Sequence, residues 1–216
     1  MTETIQAHAF RPRDLVGGHV VIDLLNTVTA RNADPVDRLD GYPRLLEWAA
    51  LTEHFDPDAL VALERLAEAD PAGAARALDR TRELREDLHD LVTALVRQDD
   101  PAPAEAVRRV ERRWKHAAAG AHLTVRENTA ELQIDVATSG LDYLGHRLVL
   151  EAFDLLRSLP PERTRVCPGV RCGWVFIDSS RGGRRRWCDM ATCGNSAKGR
   201  THYQRKRQST ALVKPE

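Results

Sequence analysis

CPGVRCGWVFIDSSRGGRRRWCDMATCGN, Cys167 to Asn195, holds every cysteine of a 216-residue chain. Cys167, Cys172, Cys188 and Cys193 follow the spacing C-x4-C-x15-C-x4-C. Each pair is a short loop whose two sulfurs can converge on one ion. Four thiolates fill a tetrahedral zinc shell and leave no position for a substrate, so the spacing predicts one structural zinc. Disulfides, or four inert thiols, are the competing readings. A C-x4-C pair also differs from the C-x-x-C of thiol redox motifs. The leading stretch MTETIQAHAFRPRDLVGG lacks a signal-peptide core. No run approaches the ~20 apolar residues of a membrane helix. The expected setting is therefore the cytoplasm, away from membranes, where reduced thiols favour metal over disulfides.

Between the pairs, Trp174, Phe176 and Asp178 alternate. The pattern breaks over Ser179–Gly183 and resumes through Arg186 and Trp187. A hairpin linking the first cysteine loop to the second is the prediction. Asn195 or Ser196 is the expected N-cap of a helix over SAKGRTHYQRKR. Loop, hairpin, second pair and helix together predict a treble-clef or zinc-ribbon finger over residues 163–207, with 208–216 as a tail.

The chain before it is long enough to bury a core of its own. GGHVVIDLLNTV, Gly17 to Val28, is an apolar run with β-branched residues, read as a strand through Val20–Ile22. NADPVDRLDG is loop-like in composition. YPRLLEWAALTE reads as a helix. Pro57 and Pro71 stand where first-turn prolines belong, opening two more helices. In the second, Leu84, Leu88, Leu91, Val92 and Leu95 recur on one face. PAPAEAVRRVERRWKHAAAG is a fourth helix, ending at Gly120. The period then changes to two: Leu123, Val125, Leu132, Ile134 and Val136 alternate around Glu127–Thr129, which predicts a β-hairpin with one buried face. LDYLGHRLVLEAFDLLRSL returns to helical period until Pro160-Pro161. The fold class is α+β: a mostly helical domain with a small antiparallel sheet over residues 1–160, then the finger. A core of its own leads us to expect that a chain ending near Pro161 folds by itself.

Net charge is zero but divided. Residues 1–162 carry 19 Lys and Arg against 29 Asp and Glu, a balance of −10; residues 163–216 carry 13 against 3, a balance of +10. A composition of 28 Arg to 4 Lys raises the count of arginines but does not segregate them. Four thiolates and a zinc lower the finger's balance to about +8. A basic surface with Trp174, Trp187 and Tyr203 among its charges fits duplex DNA, through Arg184, Arg185, Arg186, Lys198, Arg200, Arg205, Lys206 and Arg207. A solvated face, or docking of the finger on an acidic protein, is the alternative.

CGWVFIDSSRGGRRRWCDMATCGN resembles the C-terminal finger of the bacterial CGNR zinc finger family, densely over Arg165 to Arg207. VIDLLNTV followed by YPRLLEWA resembles, more loosely, the ABATE domain found with that finger, which is described as a stress-induced transcription regulator. The resemblance implies zinc at the four cysteines, a treble-clef-like finger and a role in DNA binding. One position departs from the motif: Ser196 stands where the family has its arginine. The ligands are untouched, and Lys198, Arg200, Arg205, Lys206 and Arg207 remain nearby to supply charge.

Asp23, Asn26, Thr27 and Arg31 are the polar residues of the N-terminal signature. They either line a pocket for a small-molecule ligand or satisfy backbone groups, and the second is favoured because Asn and Asp near element ends usually do so. The histidines form no H-E-x-x-H pair, and no Gly-rich phosphate loop or G-x-S-x-G elbow occurs. A non-enzymatic regulator is expected, with its oligomeric state left open.

Overall fold

The computed structural model describes residues 9–98, 103–126 and 128–200. At its centre lies α1, Val20–Leu25, in which every residue except Asp23 is buried. The sequence reading of Val20–Ile22 as a strand is corrected here. A short run that is apolar on all sides fits a buried strand or a buried helix equally, so periodicity does not decide between them. The position decides: α1 packs chiefly on two later helices and meets one short strand only to a lesser extent, and a helix satisfies its own backbone groups. The His19 ring accepts a hydrogen bond from Val21 N and caps the first turn.

After α1, β1 (Val28–Thr29) and β2 (Val36–Asp37) form a short antiparallel pair. Helices α2 (Tyr42–Leu51), α3 (Pro57–Ala69), α4 (Pro71–Arg97) and α5 (Ala104–Ala119) follow as expected. Asp56 and Asp70 cap α3 and α4, and Pro57 and Pro71 occupy their first positions. Of the predicted face of α4, Leu84, Leu88, Leu91 and Val92 are buried, while Leu95, near its end, is exposed. After the short α6 (Val136–Ser139), α7 (Tyr143–Ser158) packs on α1, α4 and α5 through Leu144, Leu148, Ala152 and Leu155. Trp48 is buried in this core, and Trp114 stacks on Phe153. No helix among the described residues is long and apolar enough to cross a membrane.

The predicted hairpin exists as β3 (His122–Arg126) and β4 (Thr129–Gln133), with Leu123 opposite Leu132. Asn128, at φ 69°, supplies the left-handed residue that its tight turn requires. The expected burial of its apolar face is corrected: Leu123 and Val125 are each 67% exposed and Leu132 45%. The two strands pack chiefly on each other, so their apolar face finds no helix to cover it. Ile134, beyond the strand, is buried, and Val136 opens α6 instead of extending β4.

A third antiparallel pair joins β5 (Thr164–Val166) to β6 (Val175–Ile177), with Val166 opposite Val175. Here the predicted pairing is corrected. β6 pairs backwards across the first cysteine loop, and residues 184–187 are not a strand. β6 also lies between two cores: Val175, fully buried, belongs to the helical core, and Phe176 belongs to the small core of the cysteines. Asn26, at the end of α1, receives β6. Its Nδ2 donates to Val175 O at 2.8 Å, and its Oδ1 accepts from Val175 N at 2.9 Å. Ile177 N donates to Gly17 O at 2.9 Å on the same strand.

A chain cut near Pro161 would lose this strand and the Val175 side chain it places in the helical core, which argues against its folding by itself. Such a chain should aggregate or melt without cooperativity in a thermal scan. Asn26→Ala in the full chain leaves both backbone groups of Val175 buried and unpaired. It should cost roughly 2–4 kcal/mol in denaturant unfolding, taking the usual penalty for two orphaned buried groups.

Candidate metal centre

The four sulfurs converge because two local structures aim them at one point. Cys167 and Cys172 sit on the turn between β5 and β6, where Cys167 N donates to Trp174 O at 2.7 Å and Cys172 N to Gly169 O at 3.1 Å. Two glycines let this turn close. A Cβ on Gly169 would lie 3.0 Å from Cys193 Sγ and from Cys172 Cβ. Gly173, at φ +75°, lets the chain pass within van der Waals reach of Arg31 and Asn32. Cys188 and Cys193 sit at the start of a helical segment that runs as a π turn over Met190–Gly194 and continues over residues 195–200. Its cap is Asp189, which accepts from Ala191 N and Thr192 N, and not Asn195 or Ser196 as the sequence led us to expect.

All four Sγ atoms lie within 4.8 Å of one another, and three of the cysteines are buried. Cys172 to Cys188 is 3.5 Å and Cys188 to Cys193 is 3.7 Å. A tetrahedron with metal–sulfur bonds of about 2.3 Å has edges of about 3.8 Å, so the spacing fits a four-thiolate metal site and is far too long for disulfides. Hydrogen bonds from Cys172 and Cys188 hold the Cys167 thiol down to about 2, and the bond to Cys167 pushes Cys172 up to about 12. Backbone N–H groups of Gly169 and Cys188 also point at Cys167, and that of Trp174 at Cys172. A divalent cation held here by Cys167, Cys172, Cys188 and Cys193 would take the place of the shared protons and would meet sulfurs already oriented by backbone donors.

The cluster is tied to the helical body. Asn32, in the loop between β1 and β2, donates from Nδ2 to Gly169 O at 2.6 Å and accepts at Oδ1 from Cys172 N at 2.9 Å. Arg31 N donates to Cys172 O at 3.0 Å, and Trp174 Nε1 donates to Val28 O at 3.1 Å. Asn32 was not among the residues singled out from sequence. Its one visible signal was an Asn in a stretch whose composition already spelled loop.

The polar residues of the N-terminal signature are placed in the same frame. Asp23 Oδ1 accepts from Gly17 N at 2.8 Å, and burial pushes its carboxyl up to about 6. Asn26 holds β6, as described. Thr27 Oγ1 donates to Leu24 O and accepts from Arg85, a buried guanidinium paired through two bonds with Asp37. Arg31 makes two bonds to Glu86 and one to Leu25 O. All four side chains bond backbone groups or charged partners, although Arg31 Nε is buried without a hydrogen-bond partner among the described residues.

The predicted basic residues divide. Arg184 and Arg186 are exposed, the latter over the Trp187 ring at 5.0 Å. Lys198 and Arg200 are exposed on the terminal helical segment. Arg185 instead turns inward: it lies over the Phe176 ring at 4.5 Å and donates to the carbonyls of Val16, Trp187 and Cys188. Its own N–H donates to the buried Asp178. Arg205, Lys206, Arg207 and Tyr203 lie outside the described residues.

Residues 163–206 match the CGNR zinc finger family. Residues 18–159 match the ABATE family, "Putative stress-induced transcription regulator". No curated protein matches the chain.

Asn32→Ala removes two bonds to the first cysteine loop while sparing every sulfur. It should weaken metal retention by about 10- to 100-fold, the usual effect of losing an outer-shell partner. Competition with a chromogenic chelator measures this.

Proposed function

Because the chain belongs to the ABATE family and carries a CGNR zinc finger, we propose that it is a non-enzymatic transcriptional regulator of the cytoplasm. Its finger holds one zinc ion and binds duplex DNA through phosphate contacts. The zinc is structural: Cys167, Cys172, Cys188 and Cys193 fill its shell, and the ion fixes the two cysteine turns against each other. The helical body senses a ligand or mediates assembly.

One observation carries the DNA reading. Arg181, Arg184, Arg186, Lys198 and Arg200 are exposed, and none has a carboxylate within ion-pair distance among the described residues. The body pairs most of its arginines with its own acids, among them Arg31, Arg38, Arg80, Arg82, Arg85, Arg109 and Arg113. Arg65, Arg97 and Arg112, exposed without an ion pair among the described residues, are spread over three helices and not gathered on one module. Unpaired cations on one small module attract a polyanion, and release of its counterions makes the binding salt-dependent. Ser196, in place of the motif arginine, lines a cleft of about 310 Å³ with Arg171, Thr192 and Arg200. Those two arginines supply the charge that position 196 lacks.

Elemental analysis should give about one zinc per chain, and Cys172→Ser should lose it. The full chain should bind random duplex DNA with a log–log salt slope of roughly −3 to −4, for about four phosphates neutralised. Arg184→Ala with Arg186→Ala, or Arg205, Lys206 and Arg207 changed together to Ala, should flatten the slope and leave zinc in place. Arg185→Ala should instead loosen the finger and release zinc. Full zinc with no salt-dependent DNA binding would reject the reading and favour docking on an acidic protein.

A further inference from the structure

Away from the finger, α4, α5 and α7 leave a cleft of about 330 Å³ between them. Its floor is apolar, formed by Leu84 and Val149, both buried, with Gly145 beside the buried Thr81. Its walls carry Arg80, Arg112, Arg113, His116 and His146, against a single lining carboxylate, Asp142. Asp142 is held by Arg80 through two bonds of 2.7 and 2.9 Å. Arg113 is engaged with Glu83 at 2.8 Å, more loosely with Asp87 at 3.9 Å, and with the Arg80 carbonyl, so Arg112 is the cation with charge to spare. Arg112 makes no ion pair or hydrogen bond among the described residues. The two imidazoles meet edge to face at 5.3 Å, and His146 Nδ1 is bonded to Ser139 Oγ at 3.0 Å.

Three guanidinium groups around an apolar floor make a site for a small anion that also carries a hydrocarbon part. Guanidinium groups match the planar, two-oxygen geometry of a carboxylate. The floor adds nothing for a bare inorganic ion, and it rewards a ring or short chain that leaves water. The volume sits at the lower end of small-molecule sites, so the guest is small. We propose that this cleft binds a small organic carboxylate, aromatic or short-chain aliphatic, with its carboxylate at Arg112 and Arg113 and its apolar part against Leu84 and Val149.

The cleft shares α4 with the attachment of the finger. Arg80, Thr81 and Leu84 line it, while Arg85 and Glu86, the next residues of the helix, hold Thr27, Asp37 and Arg31 beside the first cysteine loop. An occupant therefore touches the helix that positions the metal centre. The proposal supplies the ligand that the regulator reading leaves open and rests on that reading only for its purpose. Binding is measured without DNA, so the two can fail separately.

Calorimetric titration of the full, zinc-loaded chain with sodium benzoate and sodium octanoate tests it, with benzamide and inorganic phosphate as comparators. At least one carboxylate should bind saturably, one per chain, with a dissociation constant of roughly 1 mM or below. Benzamide, lacking the charge, should bind at least about tenfold more weakly, and so should benzoate or octanoate to Arg112→Gln. Arg112 is exposed and unpaired, so its replacement leaves the fold intact, which a thermal scan verifies. On binding, the His116 and His146 ring resonances should shift together. Four results would overturn the proposal: no saturable carboxylate binding, equal binding of benzamide, unchanged affinity in Arg112→Gln, or phosphate binding more tightly than either carboxylate.

Discussion

The amide of Asn26 takes both hydrogen bonds of the Val175 backbone, as a neighbouring strand would. This contact joins residues 149 positions apart, and the architecture turns on it. On one side of β6, Val175 completes the helical core; on the other, Phe176 forms the floor beneath the cysteines. The metal centre is therefore built on a wall of the body and not hung from it by a linker. A single Asn suffices because its carboxamide presents a donor nitrogen and an acceptor oxygen side by side, as a peptide group does. Any other short polar residue would leave half of the pair unmet.

The arginines of the chain perform two kinds of work, and burial separates them. Arg85, with its side chain 3% exposed, satisfies Asp37, Thr27 and Glu86 at once. Burial alone would raise the Glu86 carboxyl, but the bonds and charges of Arg31 and Arg85 hold it down to about 2. These groups lock α4 to the loop that meets the finger. Arg181, Arg184, Arg186, Lys198 and Arg200 of the finger, all exposed, have no such partners among the described residues. Arg185 sits among them in sequence and not in function, because Asp178 and three carbonyls draw it inward.

The cysteine spacing made the metal centre legible, since four thiols in two short loops have few other uses. Helices with proline starts and a clear apolar face were legible for the same reason: local chemistry and global packing agree in them. Four features were not legible. α1 is apolar but for Asp23, so its period carries little information. β3 and β4 alternate correctly, but alternation states that one face is apolar and not that anything covers it. β6 was paired with the wrong partner because a side-chain amide and a strand on the other side of a cysteine loop leave no periodic trace. Asn32 escaped notice because a loop Asn that grips a distant backbone looks like any loop Asn.

The two cysteine pairs are fastened unequally. Cys167 and Cys172 ride on a hairpin bonded to Gly17, Asn26, Arg31 and Asn32. Cys188 and Cys193 ride on a turn held by its own cap, with Asp189 gripping Ala191 and Thr192 and taking Gly194 N and Asn195 bonding Ala191 O, and joined to the rest of the finger through the side chain of Arg185 at Trp187 O and Cys188 O. Loss of an ion held by these sulfurs would thus have a direction. The second arm would swing free first, carrying Lys198 and Arg200 with it, while the first would stay docked as a half-built cradle. Amide protons along 188–200 would then exchange before those of β5 and β6, and reassembly would be the recapture of one tethered arm by a waiting pair of thiols, an encounter at the high effective concentration of a short tether.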